Sequence, residues 1–230
     1  MKRPIGNSRF FGRNRTVTIA CLDRARSLQN VDFDRLIRAL QTYLDDVLVP
    51  VWRTPATLVK TRKERHGAWT LVFLDDADQG KDLGYHKLMK HGLPVARVFV
   101  RRTLDSDEAV SLIASHELAE MLVDPSDNLW CMGPRRHLYA YEVCDAVEHE
   151  SFDIDRMAMS DFVYPEYFQL APRVGARLDH LRRITRPFQV LRNGYMVTRV
   201  KGRKLTLFGS KAKASAFRRE DRRLHRSEFR

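Results

Sequence analysis

Ser115-His116-Glu117-Leu118-Ala119-Glu120-Met121-Leu122-Val123-Asp124-Pro125 is the stretch on which the reading of this chain turns. Together with Val110, Ile113 and Ala114 it places apolar residues at helical spacing, which predicts a buried helix from about Asp107 to Val123. Asp105 or Ser106 is the expected cap. Asp124-Pro125 is the expected end, because the residue before a proline is disfavoured in the α conformation. His116 and Glu120 are four residues apart, so one turn stacks their side chains on a common face. On a buried helix a polar face of this kind needs partners.

An imidazole and a carboxylate so placed can hold one divalent cation. Glu117 would then face a water on that cation and take its proton, since a bound metal brings the water's pKa towards neutrality. These are the mechanics of the His-Glu-x-x-His zinc peptidases, with a glutamate here in place of the second histidine. Zinc accepts carboxylate oxygen, and the harder ligand also admits other divalent metals. A third ligand is needed. Asp124 lies about 12 Å from His116 along a straight helix, too far for one ion to bridge, and is left as an alternative or outer ligand. Glu142 or Asp145, in Tyr141-Glu142-Val143-Cys144-Asp145, is the candidate, with Glu142 preferred and His86 a further option. The plain alternative is an ordinary helix with a histidine and surface carboxylates.

Working outward, Thr16–Leu22, Ala56–Lys60, Trp69–Leu74 and Val95–Val100 read as strands. Asp32 precedes an amphipathic run (Phe33, Leu36, Ile37, Leu40, Leu44, Val47, Val51) expected to end at Pro50. Asp75 to Gly80 is a loop by composition, and its half-resemblance to a calcium loop lacks the glycine and terminal glutamate in place. Phe152 to Met157 reads as a hairpin. Asn193-Gly194 and Lys201-Gly202 punctuate a β-rich C-terminal part. Strands and helices in this order give an α+β fold, not a doubly wound one.

The chain has 230 residues, is 43% hydrophobic and carries a net charge of +12. Wholesale disorder is excluded by the apolar content, and no apolar run is long enough for a membrane span. No secretory signal follows the basic start. Cys21, Cys131 and Cys144 lack paired spacing, so neither a disulfide scaffold nor a cysteine zinc site is expected, and Cys144 near His149 reads as a buried thiol.

The charge is concentrated at the ends. Residues 1–15 hold Lys2, Arg3, Arg9, Arg13 and Arg15 and no acid, a net +5. Residues 210–230 include Lys211, Lys213, Arg218, Arg219, Arg222 and Arg223 and also net +5, with eight bases against three acids. The body, 16–209, is left near neutral at +2. Basic arms flanking a neutral domain attract nucleic acid or acidic protein surfaces, or simply solubilise.

His116 to Pro125, then Trp130, then Glu142-x-x-Asp145 resembles a zincin-like group encoded in bacteria, prophages and phages. Its pattern is His-Glu-Leu-x-Glu-x-x-x-Asp-Pro, Trp, Glu-x-x-Asp. Ala39-Leu40-Gln41, Pro50-Val51-Trp52, Leu74 to Asp78, Gly84-Tyr85-His86, Ser160 to Val163, Pro187-Phe188 and Asn193-Gly194-Tyr195 add to the likeness, which spans about 33–197. The resemblance implies a twisted mixed sheet packed on an N-terminal helix and an active-site helix. It implies His116 and Glu120 as ligands of a divalent metal, zinc first, and Glu117 as base. A metal-dependent peptidase or other hydrolase is the expectation. The alternative is a non-catalytic virion protein of the head–tail adaptor or connector type, made in the bacterial cytoplasm and assembled as a ring or other homo-oligomer. Its arms would grip neighbouring virion proteins or packaged DNA, with no membrane involved.

Overall fold

A computed structural model describes residues 16–77 and 82–215. The first arm, Arg218, Arg219, Arg222, Arg223 and the Asp78 to Gly80 part of the acidic loop lie outside the described residues.

β1 (Val17–Asp23) alternates its side chains between the two faces of a sheet. Ile19 and Cys21 enter the main core, whereas Ala20 and Leu22 join a small cluster on the other face. Asp32 caps α1 (Phe33–Thr42) by accepting the Arg35 N–H at 2.9 Å. The helical path does not stop at Pro50. It widens into a π turn over Tyr43–Leu48, in which the Val49 N–H reaches back to Leu44 O, and resumes as α2 (Val49–Trp52). Proline lacks an N–H and clashes with the carbonyl four residues back. The wider turn is the kind of local change that accommodates such a residue.

β2 (Ala56–Lys60), β3 (Trp69–Leu74), β4 (Gly84–Leu88) and β5 (Pro94–Phe99) complete a five-stranded sheet in the order β2-β1-β3-β5-β4. All its pairings are parallel except β4 with β5. β4 does not stand out as a strand in the sequence. It is a short edge strand that owes its form to pairing with the buried β5. α3 (Val100–Asp105) follows directly, and the chain turns before α4 (Val110–Val123). Neither Asp105 nor Ser106 caps α4. Ala109 occupies the cap with its carbonyl alone, because Asp107 turns the chain at φ 58°.

α1 and α4 lie on the main-core face of the sheet, where Leu36, Leu40, Leu118 and Leu122 meet Leu71, Phe73, Ala96 and Val98. Beyond α4, β6 (Trp130–Met132) and β7 (Leu138–Ala140) join β10 (Tyr195–Val200) and β11 (Arg203–Phe208) in a second, antiparallel sheet. β8 (Ser151–Ile154) and β9 (Met157–Ser160) form the expected hairpin, and β9 packs on α4. The result is a mixed α+β fold in which α4 is wedged between the main sheet and the later strands. None of the described helices is long and apolar enough to cross a membrane.

Candidate metal centre

Eleven of the fourteen residues of α4 are buried, among them Glu117 and Glu120. Three segments bring further polar groups to this helix. β4 supplies His86 from the sheet edge. The strap after β7 supplies Glu142 and Asp145, and it is pinned by the Cys144 N–H donating to Glu120 Oε1 at 3.1 Å. The turn after α4 is tied by Asp124, whose Oδ2 accepts the N–H groups of Asn128 and Leu129 at 2.9 and 2.7 Å.

The side chains gather in two groups that share Glu120. His116, Glu120 and Asp145 place their ligand atoms within 4.8 Å of one another, and so do His86, Glu120 and Glu142. In the first group His116 Nε2 is 3.3 Å from Glu120 Oε2 and 3.5 Å from Asp145 Oδ1. Charge-assisted hydrogen bonds are shorter, about 2.7–2.9 Å. Donors arranged tetrahedrally around zinc at ~2.0–2.2 Å are about 3.3–3.6 Å apart. The first group therefore pairs an imidazole with two carboxylates at a spacing that could also hold a cation. Of the two strap carboxylates, Asp145 is grouped with His116 and Glu142 with His86. Asp124 belongs to neither group. Its carboxylate ties the turn, and its backbone carbonyl is 3.1 Å from His86 Nε2.

The surroundings are strongly acidic. Burial pushes the carboxyls of Glu120 and Glu142 above the usual range, and neighbouring carboxylates add to it. Burial opposes charge on His86, but the facing Glu117 and Glu120 overcome it and raise the ring to about 9. His116 is raised well above its ordinary value in the same way, burial being outweighed by Glu120 and Asp145. The Cys144 thiol is pushed well up by burial. All three cysteines are unpaired and buried.

Two glycines shape the site. A Cβ on Gly84 would meet Glu117 Cγ at 2.8 Å and Arg97 O at 2.8 Å, so this position lets Glu117 lie against β4. A Cβ on Gly194 would meet the carbonyls of Ala146 and Asp145 at 2.5 and 2.7 Å. That close approach carries the chain to Tyr195, whose hydroxyl is held well above its ordinary pKa first by burial and then by the nearby Asp145. Gly84, Gly194 and Tyr195 are not marked as site residues by periodicity or charge. Their only sequence signals are the Gly84-Tyr85-His86 and Asn193-Gly194-Tyr195 triplets.

Elsewhere, Asp75 accepts the Arg26 and Ser27 N–H groups and faces Arg101, and Asp76 also pairs with Arg101. Lys213 pairs with Glu148 of the body, while Lys211 is exposed. No protein-family model, curated protein or solved structure matches the chain.

Proposed function

We propose that the protein is a metal-dependent hydrolase of peptidase type, with His116, Glu120 and Asp145 as the cation ligands. The spacing of 3.3 and 3.5 Å around His116 Nε2 carries this reading. The donor set is one nitrogen and two carboxylates, which suits zinc and also harder divalent metals. When bound, such a cation supplies Lewis acidity. The chain's own groups do the rest. Glu117, at the next position of the helix, takes and returns a proton through its carboxylate. Tyr195 lies beside Asp145 and supplies a hydroxyl that can orient it. His116, with 16% of its side chain exposed against 6% for Glu120, marks the open side of the centre. β4 is an edge strand beside the centre, and an edge strand can align an extended peptide by main-chain hydrogen bonds. A mixed sheet over the helix that bears His116 and Glu120 is also the arrangement the zincin-like resemblance implies.

The test is metal content and proteolysis of the purified full chain, using zinc and a fluorescent casein substrate. Glu117→Gln should keep the metal and lose at least about a hundredfold in turnover. Metal-free protein with no zinc affinity, or a Glu117→Gln variant of full activity, contradicts the reading.

A second reading is favoured by one observation: ten of the twelve net positive charges reside in residues 1–15 and 210–230. In it the protein is a virion component whose arms hold DNA or neighbouring subunits. DNA binding should then weaken steeply with salt and vanish when both arms are deleted.

A further inference from the structure

The hydrolase reading uses one of the two groups on α4 and leaves the other set of donors unexplained. His86 Nε2 is 3.1 Å from the Asp124 carbonyl. A carbonyl only accepts, so this nitrogen carries the proton in that contact, which turns Nδ1 to the interior. Nδ1 faces Glu117 Oε2 at 3.7 Å and Glu120 Oε2 at 3.8 Å. Both separations exceed hydrogen-bond length, so a proton on Nδ1 does not bridge them. A histidine anchored through one nitrogen by a carbonyl, with the other directed at carboxylates, is the arrangement of an oriented metal ligand.

Glu142 gives an independent sign. It is only 8% exposed, and its Oε2 is buried without a hydrogen-bond partner. An unpartnered buried carboxylate oxygen is costly to keep. This carboxylate stands within ligand reach of His86 and Glu120. The surroundings agree. Glu117, Glu120, Asp124, Glu142 and Asp145 are five carboxyl groups, all buried, and buried carboxylates need a cation or donors beside them.

We propose that His86, Glu120 and Glu142 form a second site for a divalent first-row metal, so that the centre holds two cations with the Glu120 carboxylate shared between them. The inference rests on the hydrolase reading for the first of these sites. Two cations sharing a carboxylate sit roughly 3.5–4 Å apart, a separation that clamps both the attacking and the leaving oxygen of a displacement.

Stripped full-length protein is titrated with Mn²⁺ and read by metal analysis and electron paramagnetic resonance. The expected result is two equivalents and an exchange-coupled spectrum. Glu142→Gln and His86→Gln should each bind one equivalent and give an isolated six-line signal, and His116→Gln should also retain one. One equivalent in the wild type, lost in His116→Gln but kept in Glu142→Gln, overturns the second site and leaves the hydrolase site standing. One equivalent lost in Glu142→Gln but kept in His116→Gln overturns both the shared centre and the His116 reading, and so does no binding at all. Circular dichroism checks each variant's fold. If a variant is unfolded, the wild-type spectrum decides alone: two equivalents without coupling, or a single equivalent, overturns the shared centre.

Discussion

The Cys144 backbone N–H donates to Glu120 Oε1 at 3.1 Å, and this one bond turns Glu120 Oε2 towards His116 at 3.3 Å. The strap that contributes Asp145 thus also aims the carboxylate with which Asp145 works. Removing that carboxylate should cost stability mainly through the metal. Binding to the native state at about a hundredfold excess over Kd adds about 2.7 kcal/mol, which is roughly 5–10 °C in Tm for a chain of this size. Glu120→Ala is expected to lose that zinc-dependent increment. Differential scanning calorimetry with and without zinc checks it, and equal losses in both conditions would go against a bound ion.

Gly84→Ala tests how Glu117 is seated. The added methyl meets Glu117 Cγ and the Arg97 carbonyl, both at 2.8 Å. Overpacking of this kind typically costs about 1–3 kcal/mol. Turnover should fall more than about tenfold, because a base displaced by about an ångström is badly placed. Zinc content should stay unchanged, since Gly84 touches none of the ligands. Parallel measurement of metal and proteolysis separates the two effects.

Tyr195→Phe removes the hydroxyl beside Asp145, which in this proposal orients that carboxylate. Loss of a hydrogen bond to a ligand typically weakens metal affinity by about 10–100-fold. Competition with a chromogenic chelator reads the change. An unaltered affinity would mean that Tyr195 has no part in the centre.

A pH dependence arises away from the metal. Asp161 is completely buried, and its carboxyl is pushed up to about 8, first by burial and then by the adjacent Asp179. Asp161 Oδ1 accepts the N–H groups of Phe162, His180 and Leu181, and Asp179 accepts those of Arg183 and Ile184. A proton on one of the two adjacent carboxyls relieves their repulsion while both hold their loops. Because the folded pKa lies above the unfolded one, this contribution is fully present below about pH 4. It is lost as pH rises through about 8, at up to about 1.4 kcal/mol per pH unit. Asp161→Asn, which is neutral at every pH, should flatten that part of the stability curve. Urea unfolding from pH 4 to 9 gives the slope, and parallel curves for wild type and variant would show that Asp161 takes up no proton on folding.

Local pattern made much of this molecule legible. The strands at Ala56–Lys60 and Trp69–Leu74, the Asp32 cap and the α4 motif are encoded by residues close together in the chain. What stayed hidden depends on long-range contacts. Gly84–Leu88 becomes a strand only through β5, so the part His86 plays could not be weighed. Whether Glu142 or Asp145 reaches His116 is decided by how the strap crosses α4, which the Cys144 N–H and the Gly194 approach govern. Pro50 looks like a helix stop because the π turn that admits it carries no composition signal.

The most direct test is a crystal of the full chain grown with zinc and measured on both sides of the zinc absorption edge. An anomalous peak about 2.0–2.2 Å from His116 Nε2, Glu120 and Asp145 is the predicted result. A map without density there, or with the His116 ring turned away from Glu120, would contradict the account.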